Sequence, residues 1–353
     1  MGAHALPDQV RDGGAEEAPL CTPKVKVYGH APLLRSDTFG KMYAIAVGYI
    51  LDLLLGDPPW LLHPVRGIGW LVVKLESILR KFGSPKVCGA FLVIVVVATA
   101  WASAYAIIRV ASLIDGRLEF VVSCVLIYFA LATRDLDIES RRVYDALRDG
   151  DLTSARAYLS RIVGRDTEGL SREEVVRAAV ETVAENTVDG VISPLFYAFL
   201  GGPPLAWAYK AVSTLDSMVG YKDEKYKDFG WFSARLDDAA NWLPARISAI
   251  LIIMSAFVLR MRWRDAFKIV LRDGRKSASP NSGIPEAGFA GALGIQLGGV
   301  NYYRGTPRRT PLVGERVKER EPEDITRAIR LMYAVSISGF LSGSVVLWLL
   351  RCR

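Results

Sequence analysis

Two stretches of this chain are difficult to leave in water. Residues 87–108 and 331–350 run for 22 and 20 positions without a single charged side chain. As a helix rising about 1.5 Å per residue, either would cross a hydrocarbon core of about 30 Å. The other apolar residues are clumped in the same way, and mean hydropathy is +0.23. The expected fold class is all-α, a polytopic membrane protein.

The runs between these landmarks set the organisation. Residues 1–40 mix Gly, Pro, Ala and charges without periodicity or a signal-peptide pattern, and are expected to be a disordered extension. Residues 41–353 then form one integral-membrane domain. Asp52 interrupts the apolar run 42–55. His63, Pro64 and Arg66 break 60–79, which is expected at the interface, and 120–133 reads as a short span. Over 134–189 the composition inverts to 22 charged residues in 56, a water-facing helical insert. Within it Leu152, Ala155, Leu159, Ile162 and Val163 mark one helix face, and Ser171 with Glu174 forms a capping box.

Residues 190–209 are again uncharged, but Gly201, Gly202, Pro203 and Pro204 make a straight helix improbable. Two half-helices that dip in and return satisfy the pattern, and irregular backbone at that depth lines a cavity. The Gly- and Ala-rich run 283–300 is a second re-entrant candidate, followed by Tyr302 and Tyr303 as interfacial anchors. No internal repeat and no useful strand alternation is visible.

Charge and residue usage exclude several chemistries. Lys and Arg exceed Asp and Glu by 44 to 37, with seven of the cations in 260–276. This is cytosolic loop decoration rather than a nucleic-acid footprint. Cys21, Cys88, Cys124 and Cys352 make no C-x-x-C pair, so neither a zinc site nor a disulfide framework is expected. His4 and His30 lie in the extension, leaving His63 alone in the body, which argues against a histidine dyad.

Four polar clusters flank apolar segments. In G-D-P-P-W-L-L-H-P-V-R, Asp57 and Arg66 could wall a pocket, or the segment is a proline turn with a snorkelling Arg. In E-T-V-A-E-N-T-V-D-G, Glu181, Glu185 and Asp189 share a stripe if the helix runs on. Their mutual repulsion, roughly 0.2–0.5 kcal/mol per pair, would be offset by a cation, and oxygen-only donors suit Mg²⁺ bridging phosphates. A solvated helix face competes equally.

The third cluster runs through Lys210, Asp216, Lys222, Asp223, Lys225, Arg235, Asp237, Asp238 and Asn241. Cations there can clamp phosphate oxygens while carboxylates hold a metal. Lipid headgroups are the better reading for Lys222, Lys225 and Lys227, and a helix N-cap competes at Asp237, Asp238 and Asn241. In the fourth, S-P-N-S-G-I-P-E-A-G, a turn carrying Ser279, Asn281 and Glu286 either presents backbone N–H groups to an anion or merely precedes a membrane segment. No G-x-x-x-x-G-K-[ST] occurs, so nucleotide use is not of the P-loop kind.

Taken in order, these clusters stop being generic. D-L-L-L-G-D-P-P-x-x-x-H-P-V-R, V-G-R-D-T, E-N-T-x-D-G-x-x-x-P-L-F, T-L-D-x-M-V-G-Y, D-F-G-W-x-x-A-R-L-D-D-x-x-N-W-x-P-A-R, S-P-N-x-G-x-P-E-A and G-G-x-N-Y-Y resemble the adenosylcobinamide-phosphate synthase family of cobalamin biosynthesis. The likeness covers roughly 49–332. It implies an ATP- and Mg²⁺-dependent multi-pass ligase of the cell membrane with its active site facing the cytosol. Such an enzyme joins a propionate of adenosylcobyric acid to (R)-1-aminopropan-2-ol or its phosphate, with membrane lipid and other cobalamin-assembly enzymes as partners.

The resemblance implies a site at Glu185, Asn186, Asp189, Asp216, Asp237, Asp238, Asn241, Ser279, Asn281 and Glu286, without roles. From the residue types, Glu185, Asn186, Asp216 and Asn241 are the catalytic candidates, and Glu185, Asp189, Asp237 and Asp238 the candidates for holding Mg²⁺ and ATP phosphates. Lys210 and Arg235 would clamp phosphate. Ser279, Asn281 and Glu286 would bind corrinoid amide or amine, and Asp57 and Arg66 would wall the pocket. Two positions depart from the family pattern: Ser277 stands where His is usual, and Ser213 where Asn is common.

Two rival readings start from the same residues. An intramembrane prenyltransferase also pairs Asp-rich motifs with Mg²⁺, but D-D-A-A-N has Asn where its third acid would stand. A transporter would use the broken segments, but its inverted repeat is missing from the sequence. Span alternation presents a conflict of its own. If 243–259 crosses fully, Ser279 lies on the opposite side from Asp237, although basic counts place both flanking regions in the cytosol.

Overall fold

The computed structural model describes residues 34–58, 63–221 and 223–351. The expectation for 1–33 and the positions His4, Cys21, His30, Lys222 and Cys352 lie outside the described residues. The first helix, α1 (Leu34–Leu55), begins inside the segment expected as an extension. It is followed by α2 (Val65–Leu79), α3 (Pro85–Ile114) and α4 (Gly116–Ala130). The insert holds α5 (Thr133–Arg148), α6 (Leu152–Leu159) and α7 (Arg172–Asn186), continued by a π-helical turn over Thr187–Ile192 into α8 (Ser193–Val219). Then come α9 (Trp231–Ala240), α10 (Trp242–Val258), α11 (Trp263–Asp273), α12 (Gly283–Leu293), β1 (Leu297–Tyr303), β2 (Thr306–Val313) and α13 (Glu323–Arg351).

Among the described residues, four helical stretches are long and apolar enough to cross a membrane: Pro85–Ile114, Gly116–Arg148, Arg172–Val219 and Glu323–Leu350. The pair α9–α10, bent by 44°, adds a fifth if counted as one span. Helix α3 shows how the environment selects the faces. Leu92, Val93, Val96, Ala100 and Ala104 are buried against α2, α4 and α8, while Phe91, Ile94, Trp101, Val110 and Leu113 point outward. Such an apolar outer wall belongs in lipid.

Helix α8 is a hairpin, as its Gly-Gly-Pro-Pro sequence requires. In a straight helix Tyr197 and Tyr209 would stand about 18 Å apart, yet their rings stack with centroids 5.1 Å apart. The Tyr209 hydroxyl also donates to the Asp189 carbonyl at 3.2 Å, twenty residues back. The reversal occurs at Gly201 and Gly202, the latter at φ 73°, ψ −166°, a region essentially closed to side-chain-bearing residues. Pro203 and Pro204 then open the return arm, where missing N–H groups cost little. The tip, with α1, α3 and α4, bounds a cavity of about 650 Å³.

The second body is a core built around one buried helix. Helix α7 is its axis, buried from Val175 to Ala184 and surrounded by α5, α6, α12, β1 and the first half of α13. The Ser171–Glu174 capping box opens α7 as expected. Arg177 and Glu181 are tolerated inside because both are paired. Arg177 donates to the carbonyls of Gly298 and Val300, and Glu181 accepts from Arg165 at 2.6 Å and from the Gly298 amide at 2.8 Å.

Two local expectations are corrected here. Residues 283–300 are not one helical segment: α12 is buried in the core around α7 and ends at Leu293. The chain then forms an antiparallel hairpin, β1 with β2, where no strand was visible. Alternation was hidden because β2 is exposed at every position except Val313. The hairpin is instead held from outside, by Arg165 and Arg177 on Asn301 and by Asp166 on its turn.

The span conflict resolves through packing. Leu251, Ile252 and Ala256 of α10 join the core built by α11, α12 and α13, and the Ser255 and Ser338 hydroxyls pair at 3.3 Å. Helix α11 packs back along α10. Ser279 consequently returns to α9, where its hydroxyl donates to Asp238 at 3.1 Å.

Candidate functional site

Between the hairpin and the core around α7 lies a cleft whose floor is read from accessibility. From 178 to 192 the chain is buried except at Glu185, Asn186 and Asp189. Throughout α12 only Glu286 escapes burial. Solvent thus reaches these side chains through an otherwise closed interior. The π-helical turn lies where the carboxylates are presented. One extra residue per turn shifts the register between Glu185 and Asp189, and such turns cluster at functional sites.

The remaining acids arrive from three further elements. Asp189 interacts with Asp237, Glu185 and Asp216, and Asp237 with Asp216, Asp238 and Glu185. Glu286 faces Glu181 and Glu185, and its carboxyl is pushed well above the usual range by burial first and these neighbours second. Asn241 anchors the arrangement. Its amide nitrogen lies 3.1 Å from each Asp237 oxygen, and its carbonyl accepts from Ser193 at 2.6 Å and Tyr209 at 2.9 Å. Helices α8 and α9 are thereby joined at one buried amide.

Lys210 joins this group to a second one. It interacts with Asp189 on one side and with Asp52, Asp57 and Asp135 on the other. Asp57 contacts His63 at 3.2 Å and its backbone N–H donates to Asp135 at 3.0 Å. Burial, and then Asp135, push the Asp57 carboxyl up to about 7, while burial and Lys210 hold the His63 imidazole down at about 4.

Most of the expected site residues converge, but not all. Glu185, Asp189, Lys210, Asp216, Asp237, Asp238, Asn241 and Glu286 meet around the cleft, and Ser279 and Asn281 are tied to Asp238. Asn186 turns its amide to the Thr182 carbonyl. Arg66 is exposed outside the acidic ring. Arg235 stands at the rim, 3.8 Å from Asp238 and over the Trp231 ring.

Residues that the sequence reading did not place in the site are Asp52, Asp135, Ser193, Tyr209 and Arg246, the last donating to Asn281 at 2.7 Å. An acid inside an apolar run was the available signal for Asp52. Tyr209 and Ser193 offered none, because their role depends on the hairpin.

The donor set is entirely hard oxygen. Among the described residues no three His, Cys, Asp or Glu side chains close into a group able to hold a metal alone. Oxygen-only donors of this kind suit a hard divalent cation.

These features define a helical, multi-pass membrane protein whose re-entrant hairpin meets a carboxylate-lined cleft. Residues 45–332 match the family model described as CobD/Cbib protein, and the chain belongs to that family. It is 47% identical over 313 residues to the cobalamin biosynthesis protein CobD of Clostridium perfringens, covering 88% of this chain and 98% of that one. It is 50% identical over 303 residues to CobD of Geobacter metallireducens, covering 86% and 95%. With CbiB of Salmonella arizonae it shares 46% over 297 residues, covering 83% and 93%. No solved structure matches. A role in cobalamin biosynthesis follows, and neither rival reading draws support from these relatives.

Proposed function

We propose that the chain is an ATP-dependent ligase that forms an amide between a propionate of adenosylcobyric acid and (R)-1-aminopropan-2-ol or its phosphate. The observation that carries this reading is the convergence of acids from α7, α8, α9 and α12 on one cleft, with Lys210 and Arg235 at its edges. A carboxylate and an ammonium do not condense usefully in water. In the proposed sequence a propionate oxygen attacks the γ-phosphorus of ATP, giving an acyl phosphate and ADP. The neutral amine nitrogen then attacks the acyl carbon, phosphate leaves, and the nitrogen gives up its proton.

The chain's own groups suit these tasks. Lys210 and Arg235 offset phosphate charge. Asn241 fixes Asp237, and Ser279 and Asn281 fix Asp238, so neither carboxylate must reorganise as substrate enters. Glu286, which alone escapes burial on α12 and faces Glu185, is placed to contact the amine. Asp189 and Asp237, with Glu185 and Asp238, would hold Mg²⁺ entering with ATP, and the ion would neutralise developing phosphate charge. Ser277, where the family usually has His, has no part in this scheme. Its hydroxyl pairs with Ser282 at 2.9 Å. The cell membrane as location, a cytosolic cleft and association with other cobalamin-assembly enzymes belong to the same proposal.

The test is direct. Purified protein incubated with adenosylcobyric acid, ATP, Mg²⁺ and either amine should yield a corrinoid heavier by the amine minus water. Asp237→Asn should abolish that product without loss of membrane insertion. No product with either amine from folded protein would refute the reading.

A further inference from the structure

The hairpin of α8 is too short for the bundle that holds it. Its first arm, residues 193–201, ends at the Gly201 break and rises about 13 Å, less than half of a hydrocarbon core of about 30 Å. Helices α1, α3 and α4 continue past the tip, and the space they bound under residues 201–204 is the cavity of about 650 Å³. It lies at the end of the bundle away from the acidic cleft. Glu119 lines it from the first turn of α4. The far end of that helix reaches the cleft, where the Ala132 N–H donates to the Gly190 carbonyl at 3.1 Å.

The lining is polar at one place. Arg109 on α3 and Lys41 on α1 bring cations from the two helices that flank α4, and α4 itself brings Glu119 and Ser123, one turn apart. Among the described residues neither Arg109 nor Glu119 has an ion-pair partner. On α3 the approach continues into the apolar wall. Trp101, Tyr105 and Arg109 are spaced i, i+4, i+8 and share one exposed stripe, and the Trp101 and Tyr105 rings stack with centroids 5.3 Å apart. Arg109 stands nearest the helix end at Ile114. Aromatic rings leading outward to a cation follow the order of a phospholipid, from acyl chain to phosphate.

We infer that this cavity holds one phospholipid with a primary-ammonium headgroup, phosphatidylethanolamine. Its phosphate lies between Arg109 and Lys41, its ammonium is directed to Glu119 and Ser123, and an acyl chain follows the Trp101–Tyr105 stripe into the bilayer. A headgroup without an ammonium would leave Glu119 facing the phosphate with nothing to offset their repulsion. A trimethylammonium headgroup has the right charge but no N–H to donate to the carboxylate. By filling the space under the tip the lipid braces the hairpin, whose return arm carries Lys210. The inference is independent of the ligase reading, because the cavity and the cleft lie at opposite ends of the hairpin.

Native mass spectrometry of the full-length protein, equilibrated in detergent with equal amounts of phosphatidylethanolamine, phosphatidylcholine and phosphatidylglycerol, reads the site. One lipid per chain should be retained, with phosphatidylethanolamine favoured over each of the others. Arg109→Gln should lower retention of all three by about fivefold, the worth of one cation at a membrane surface, and Arg109→Lys should restore part of the loss. Glu119→Gln should erase the preference for phosphatidylethanolamine without lowering retention of phosphatidylglycerol. Arg117→Gln removes an exposed cation two residues from Glu119 that does not line the cavity, and should change neither result. Free phosphoethanolamine, which offers the same charges without acyl chains, should not displace the lipid.

Equal retention of the three lipids, or unchanged retention in Arg109→Gln, would overturn the site. Displacement by free phosphoethanolamine would overturn it too, by making this a site for a soluble phosphate. Folded wild-type protein that retains no lipid would leave the cavity to water or to the chain's own residues, with the same consequence. The preference is a ratio within one sample, so a variant that folds in lower yield still reports it.

Discussion

Asn241→Ala is the most informative single perturbation of the cleft. The asparagine is almost fully buried, and its side chain makes every bond its geometry permits: one forked donation to Asp237 and two acceptances, from Ser193 and Tyr209. A hydrogen bond to a charged partner contributes about 1.5–3 kcal/mol and each neutral one about 1 kcal/mol. Truncation thus removes about 3–5 kcal/mol, of which water entering from the cleft returns some, leaving an expected loss of about 2–4 kcal/mol.

Because α8 and α9 meet at this amide, Asp237 would also lose its fixed orientation, and the rate should fall further than folding alone explains. Unfolding followed in detergent measures the first effect, and corrinoid turnover normalised to folded protein measures the second. A loss below 1 kcal/mol with unchanged turnover would refute the claim that Asn241 holds the acidic site together.

Two further predictions concern charge. Between pH 4 and 7 the raised pKa of Asp57 makes the folded state bind the extra proton, so its contribution to stability falls as pH rises. Between pH 4 and 6.5 the lowered pKa of His63 leaves the unfolded state with the extra proton, so its contribution rises with pH. The two slopes oppose each other. Asp57→Asn should therefore unmask stability that increases with pH over that window, and His63→Gln stability that decreases, both read from thermal midpoints in detergent. Equal slopes in the two variants would dismiss the pair.

Asp273 is fully buried against Arg272 at 2.8 Å, Lys276 at 2.7 Å and the Gly314 amide at 2.9 Å. Its hydrogen bonds from Arg272 hold the carboxyl well below the usual range. Its stabilisation is then present at neutral pH and lost as pH falls below the ordinary Asp range of about 4. Asp273→Ala leaves the buried Gly314 amide without its acceptor, while Arg272 keeps Glu315 at 2.6 Å, so it should cost about 1–3 kcal/mol in the same unfolding assay while the surviving folded fraction keeps its turnover per molecule.

How much of this was legible in the sequence depends on the range of the interaction. Membrane segments, the charged insert and the hairpin follow from local rules, because an uncharged run or a Gly-Gly-Pro-Pro break constrains its own backbone. The β1–β2 hairpin escaped notice for the opposite reason. Its strands face water on both sides, and what holds them is Arg165, Asp166 and Arg177, more than a hundred residues away in the chain.

The same contrast divides the site. Motif spacing named the acids, but it gave Lys210 only as a phosphate clamp, whereas in the structure it also lies between two acidic groups. The topology turns on one such distant contact. By composition α10 could cross the membrane, and alternation would then put Ser279 opposite Asp238. In the structure Leu251, Ile252 and Ala256 pack into the core shared with α7, α11, α12 and α13, and the chain returns so that Ser279 and Asn281 lie against Asp238. A change that loosened this packing would carry Ser279 and Asn281 away from Asp238, so the polar substitutions Leu251→Asp and Ala256→Asp should disassemble the site before they unfold the bundle. Hydrogen exchange should then rise first in the turn around Ser279 while α3 and α4 remain protected. Simultaneous loss of protection in all of these segments would show that the core around α7 and the membrane bundle fold as one unit.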